Sequence, residues 1–164
     1  MASIRKLESG RYQVRFRDRN GRERSETFAK KAHADRFRRD VEYEMDRGDW
    51  VDPKAGQVTL ADWIDDAWEL AAPVRPRTAS DRKSRMVNHV LPVFGHMPLT
   101  RIDRAAVQRW VNSLTADGYA AATVKKIYET LSAVLSTAVS YERLVRSPCD
   151  RVTFASPVTR SAPP

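Results

Sequence analysis

Between Tyr12 and Arg17 the chain alternates strictly. Tyr12, Val14 and Phe16 are apolar and Gln13, Arg15 and Arg17 polar, the period of two that sends successive side chains to opposite faces of a strand. "DRNG" then supplies a turn, with Asn20-Gly21 suited to positive backbone angles, and "RERSETF" returns as a second strand. "SIRKL", ahead of Gly10, is a candidate third strand. The period then changes. Ala34, Phe37, Val41 and Met45 recur every three or four residues, which predicts a helix whose apolar stripe covers the aromatic side of the hairpin. Gly48 suits the end of that helix, and "GDWVDPKAGQ" reads as a linker broken by Pro53 and Gly56.

From Thr59 onward the pattern is helical throughout. In "TLAD" Thr59 can cap and Asp62 can answer in a capping box, with Leu60, Trp63, Ile64, Ala67 and Trp68 forming the buried face. A second helix is expected from about Thr78 to Val90, stopped by Pro92, with Met86 and Val90 inward and Arg82, Lys83 and Arg85 on its other side. Asp103 can cap a third helix with the stripe Val107, Trp110, Val111 and Leu114, closed by Asp117-Gly118. A fourth is predicted from about Ala121 to Leu144. Its broad apolar face of Val124, Ile127, Leu131, Val134, Leu135 and Ala138 suits the central helix of a small bundle.

The expected fold is therefore α+β: a small three-stranded antiparallel sheet with one helix at residues 1–52, a linker at 53–58, and an all-α four-helix domain at 59–153. The remaining residues, 154–164, have little to bury and read as a flexible tail. A length of 164 residues leaves room for two such small units.

Charge narrows the class of partner. A formal net charge of +8 points to a polyanion, either nucleic acid or an acidic membrane surface. No run approaches the roughly 18 apolar residues of a membrane span, and "MASIRKLESG" lacks the apolar core of a signal peptide, so a cytoplasmic location is expected. The lone Cys149 can form no internal disulfide and cannot build a cysteine-based zinc site, and it reads as a bystander.

The charge is concentrated. Arg11, Arg15, Arg17, Arg19, Arg22 and Arg24 crowd the hairpin. If one face of that hairpin packs on a helix, the other presents Gln13, Arg15 and Arg17, and such a ribbon fits the major groove of DNA. There arginine can grip phosphate or pair twice with guanine, and glutamine can pair with adenine. Arg22 and Arg24 share the parity of inward-facing Phe28 and rank below Arg15 and Arg17. A second basic region, "RPRTASDRKSR", sets Arg75, Arg77, Arg82, Lys83 and Arg85 against Asp81 alone, enough to neutralise several phosphates. Lys125 and Lys126, with Thr123 beside them, fall in the first turns of the fourth helix, whose free amides also favour phosphate. The bland alternative for each group is a solvated charged face.

The order of "LPVFGHMPLTRID", "VQRWVNSL" and "TVKKIY…LSAVLSTAV" resembles the core-type DNA-binding domain of phage integrases in the tyrosine recombinase family, over roughly residues 58–153. The hairpin and helix ahead of it look like the arm-type DNA-binding domain that precedes the core-type domain in many such integrases. The resemblance implies double-stranded DNA as partner, at arm-type and core-type sites, and allows other integrase protomers. No cofactor and no membrane partner is expected. Ala120 departs from the serine that often caps the last long helix in the family. The family's tyrosine nucleophile and its arginine, lysine and histidine partners belong to a following domain that this sequence does not contain, so the chain is expected to bind DNA in integration and recombination without cutting it.

Other chemistry is weakly signalled. His33-Ala34-Asp35-Arg36 matches the family's His-x-x-Arg pattern but falls on the first helix, and it reads as coincidence. Tyr141 reads as a packing residue near a helix end. His89 and His96 have no acidic or cysteine companion, so no metal is assigned. Two further readings stand beside the integrase one: a stand-alone DNA-binding regulator or architectural protein on the same scaffold, and an unrelated small basic enzyme.

Overall fold

The computed structural model describes residues 1–18, 21–52 and 54–154. The chain divides into two units, Met1–Asp52 and Pro53–Pro164. The first holds strands β1 (Ser3–Lys6), β2 (Tyr12–Arg17) and β3 (Glu23–Phe28) and helix α1 (Lys31–Arg47). The strands form one antiparallel sheet in the order β1-β2-β3. β2 and β3 pair without a bulge from Tyr12↔Phe28 to Arg17↔Glu23. Of the expected turn, Asn20 lies outside the described residues, while Gly21 takes the positive φ of 76° that a side chain resists.

α1 covers one face of the sheet. Val14, Phe16, Ala34, Val41 and Trp50 are buried together, with Tyr12, Phe28, Phe37 and Met45 packed around them. Phe37 stands between Phe16 and Phe28, with ring centroids 6.1 and 5.0 Å away, and Trp50 meets Phe16 edge-on at 5.2 Å. Edge-to-face pairs of this kind contribute about 0.5 to 1.5 kcal/mol each beyond the area they bury. Gly48 ends α1 in the left-handed conformation.

The second unit comprises α2 (Leu60–Leu70), α3 (Pro76–Arg85), α4 (Leu91–Phe94), α5 (Arg104–Ala116) and α6 (Ala121–Ser140). Their apolar stripes meet in one core that includes Trp63, Met86, Phe94, Trp110, Ile127, Leu131 and Leu135. Both buried indoles find acceptors: Trp63 Nε1 donates to the Val134 carbonyl at 3.2 Å and Trp110 Nε1 to that of His89 at 3.1 Å. At the start of α2, Thr59 accepts from the Asp62 N–H, and its hydroxyl in turn donates to the Asp62 carboxylate. The box is therefore closed between side chains. The N–H groups of Leu60 and Ala61 go to the carbonyls of Met97 and Gly95.

Three boundaries differ from the sequence expectation. Pro92 does not stop the second helix. α3 begins at Pro76, passes through a π turn at Met86–Val90 and runs on into α4, with Pro92 in the first turn of α4, where its missing N–H is not needed. α6 ends at Ser140, four residues early, because Glu142 takes a φ of 56° and turns the chain back, so that Leu144 rejoins the core from a strap rather than a helix. The segment read as a linker is mostly built into the two units. Trp50 is in the sheet core, Asp52 is ion-paired to Arg24 at 2.9 Å, and Gly56 and Val58 pack in the helical unit. Pro53, read as the break, lies outside the described residues.

The strap is anchored at its far end. Thr153 exchanges backbone hydrogen bonds with the Gln108 side chain, both at 2.9 Å, and Phe154 packs edge-on against Tyr128 at 4.9 Å. Phe154, read as the first residue of the flexible tail, is therefore packed in place, and 155–164 lie outside the described residues. Gly56 is closely enclosed. A Cβ there would stand 2.5 Å from Thr100 Cγ2 and 2.7 Å from the Arg143 carbonyl oxygen. Gly56→Ala should cost the helical unit about 1 to 3 kcal/mol through overpacking; a denaturant melt that leaves its midpoint unmoved would show that the strap shifts freely.

Candidate nucleic-acid interface

Cross-strand partners share a face, so the register decides what the open side of the sheet carries. Ser3 and Arg5 on β1, Gln13, Arg15 and Arg17 on β2, and Glu23, Ser25 and Thr27 on β3 all point away from α1. All but the half-buried Gln13 are exposed. The three arginines outweigh Glu23, and two links cross the face from β2 to β3. Arg15 Nη2 lies 2.9 Å from Glu23 Oε1, and Gln13 Nε2 donates to Ser25 Oγ at 3.3 Å. The Arg15 and Glu23 side chains are 47% and 54% exposed, so their attraction contributes about 0 to 1 kcal/mol.

Arg22 and Arg24 have different surroundings. Arg24 is paired with Phe16 and faces α1, reaching Asp18 Oδ2 at 3.1 Å through Nε and Asp52 Oδ2 at 2.9 Å through Nη1. Its charge serves to tie the turn end of the hairpin to the segment after α1. Arg22 is exposed and lies just outside the ladder, with its N–H donating to Asp18 Oδ1 at 2.9 Å. The open face is therefore built from Gln13, Arg15 and Arg17, as the alternation of β2 predicts, joined by Arg5, Ser25 and Thr27 from the flanking strands. Arg5 was legible in "SIRK", where Ile4 points in.

In the helical unit the second basic region falls on α3 and its N-cap. α3 has no buried residue of its own, and Arg75, Arg77 and Lys83 are exposed, with Arg82 and Arg85 half-buried. Arg85 stands 3.9 Å from Asp81, which leaves most of the charge unopposed. α3 packs along α6, whose first turns carry the exposed Thr123, Lys125 and Lys126. No side chain caps α6 at Ala120, whereas Asp103 caps α5 by accepting from the Ala106 N–H at 2.6 Å. The positive end of the longest helix is thus left to solvent beside two lysines, a setting that attracts anions. α2 has the opposite character, exposing Asp62, Asp65, Asp66 and Glu69.

Two family profiles match the chain. The phage integrase N-terminal domain matches residues 2–47, and the phage integrase N-terminal SAM-like domain matches residues 68–115. Together they cover more than half of the chain and fall one on each unit. The chain belongs to the phage integrases of the tyrosine recombinase family.

This phage integrase chain is 29% identical to the prophage phiRv2 integrase of Mycobacterium tuberculosis, over 96% of its own length and 42% of the relative's. It thus spans less than half of the curated relatives it matches. An integrase-like domain from Bacillus cereus shares the fold with a TM-score of 0.56 and 19% identity, covering 61% of this chain and 86% of that one. A lambda integrase dimer bound to a COC' core site gives a TM-score of 0.53 at 21% identity, covering 93% of this chain and 45% of that one.

The remaining candidates have surroundings of their own. His33 is exposed on α1, and Arg36 lies 3.9 Å from Asp40. Tyr141, expected to pack, is 49% exposed at the end of α6. His89 meets Tyr119 edge-on at 5.3 Å. Among the described residues no three His, Cys, Asp or Glu side chains converge on a point where a metal ion could sit, and no described helix is long and apolar enough to cross a membrane. Burial pushes the Cys149 thiol up to about 11, which keeps it protonated and unreactive near neutral pH. The structural assignment of Arg24 makes a direct prediction. Arg24→Met, which keeps the stem but removes the charge, should lower the stability of the sheet unit by about 1 to 3 kcal/mol. An unchanged thermal midpoint would return Arg24 to the list of free cations.

Proposed function

We propose that the two units bind double-stranded DNA as the N-terminal portion of a site-specific integrase acting in integration and recombination. In this reading the sheet takes arm-type sites and the helical unit takes core-type sites. The observation that carries it is the open face of the sheet: an apolar helix seals one side, and the other aligns Arg5, Gln13, Arg15 and Arg17 on a ribbon narrow enough for the major groove. The solvated basic helix α3 and the uncapped start of α6 supply the second surface, where Arg75, Arg77, Arg82, Lys83, Arg85, Lys125 and Lys126 meet phosphates and Thr123 lies within reach. Other integrase protomers are further partners, a reading supported by the likeness to a lambda integrase tetramer bound to a Holliday junction, with a TM-score of 0.53 and 20% identity. The role assigned to this chain is binding and positioning; strand cleavage is not assigned to it.

Replacing Arg15 by Ala should weaken the preferred arm-type duplex by about 1 to 3 kcal/mol and relax sequence preference if the side chain reads a base. If it grips only phosphate, binding should weaken evenly across sequences and the salt dependence become shallower by about one unit. Lys126→Ala should leave arm-type binding unchanged. Equal affinities of wild type, Arg15→Ala and Arg17→Ala on every duplex, measured by fluorescence anisotropy at moderate salt, would reduce the open face to a solvated surface.

A further inference from the structure

The two links across the open face follow one rule. Arg15 is paired with Ser25 and Gln13 with Thr27, yet Arg15 reaches Glu23 and Gln13 reaches Ser25. Each β2 side chain thus leans one pair toward the hairpin turn and is held by the β3 residue it finds there. β3 in turn presents only Glu23, Ser25 and Thr27 on this side, short or acidic residues beside the longer Arg15 and Gln13. A carboxylate is out of place on a surface meant only to attract phosphate, because it repels every duplex alike.

Resting on the reading that this face binds duplex DNA, we infer that β3 is a positioning strand: Glu23 and Ser25 hold Arg15 and Gln13 in the poses that read bases and so set sequence preference. A free arginine carries large rotamer entropy, which binding must remove; holding it beforehand lowers that cost for the one pose that is held. Glu23 engages Nη2 through one contact, and the guanidinium fork retains further N–H groups to offer a guanine edge. Ser25 takes one proton of the Gln13 amide and leaves the second proton and Oε1 for adenine. The same carboxylate discourages Arg15 from swinging to the nearest phosphate. Glu23 therefore lowers binding to DNA in general and favours the sequence that accepts the held fork.

A double-mutant cycle on the full 164-residue chain tests this. The probes are the tightest duplex drawn from a randomised pool and a scrambled duplex of the same composition. Glu23→Gln should tighten the scrambled duplex, steepen its salt dependence by about one unit as Arg15 becomes free to meet a phosphate, and cut the ratio of the two affinities about twofold to fivefold. In the Arg15→Ala background the same change should leave the ratio as it is. Ser25→Ala should likewise reduce the ratio only while Gln13 is present, by about twofold to fivefold. Melting curves show that each variant is folded, both residues being exposed. A ratio unmoved by Glu23→Gln, or moved equally with and without Arg15, would overturn the positioning role and leave Glu23 a simple repelling charge. If Arg15→Ala and Arg17→Ala themselves change nothing on either duplex, the binding face is wrong, and the positioning strand falls with it.

Discussion

The contact of Phe37 on α1 with the rings of Phe16 and Phe28 decides which side of the sheet is left to solvent. Strands of four and six residues cannot hold together in water unaided, and here the stabilising apolar surface lies all on one side. Once α1 occupies that side, the strict alternation of β2 leaves Gln13, Arg15 and Arg17 no direction but outward. A one-residue slip would bury two arginines and expose Val14 and Phe16. The basic face is therefore as firmly specified as the core behind it.

The helical unit separates stability from charge in another way. Its core draws on α2, α5, α6 and the π turn, so α3 is left with no burial task of its own. A polar helix in that position is kept in place by its continuation through Met86 and Val90, both fully buried, rather than by its own face. The extra residue of the π turn lets the chain pass Pro92 without a break, and the turn places the His89 carbonyl within reach of the Trp110 indole. Buried, satisfied groups at one end thus support a solvated cationic arm at the other.

Much of this was legible in the sequence. The parity of Tyr12, Val14 and Phe16, the stripe of Ala34, Phe37, Val41 and Met45, and the caps at Thr59 and Asp103 are local patterns, and local geometry honours them. What escaped depends on pairing across the chain. Trp50 and Asp52 lie in a Gly- and Pro-marked stretch at the end of the sheet unit, and only their contacts with Phe16 and Arg24 show what they do there. Arg24 looks like one more surface arginine until the register sets it beside Asp18. Glu23 and Ser25 gain meaning only through their diagonal partners on β2. Pro92 read as a stop because a sequence pattern assumes a uniform helix, whereas a π turn resets the hydrogen bonding before it.

The most direct test of a DNA-binding open face is a backbone amide NMR titration of the 164-residue chain with a short duplex. Shifts are expected to concentrate on β1, β2, β3, α3 and the first turns of α6, while amides along the acidic α2 stay in place. Shifts confined to the outer side of α1 or to α2, with the strands unmoved at saturating duplex, would contradict it.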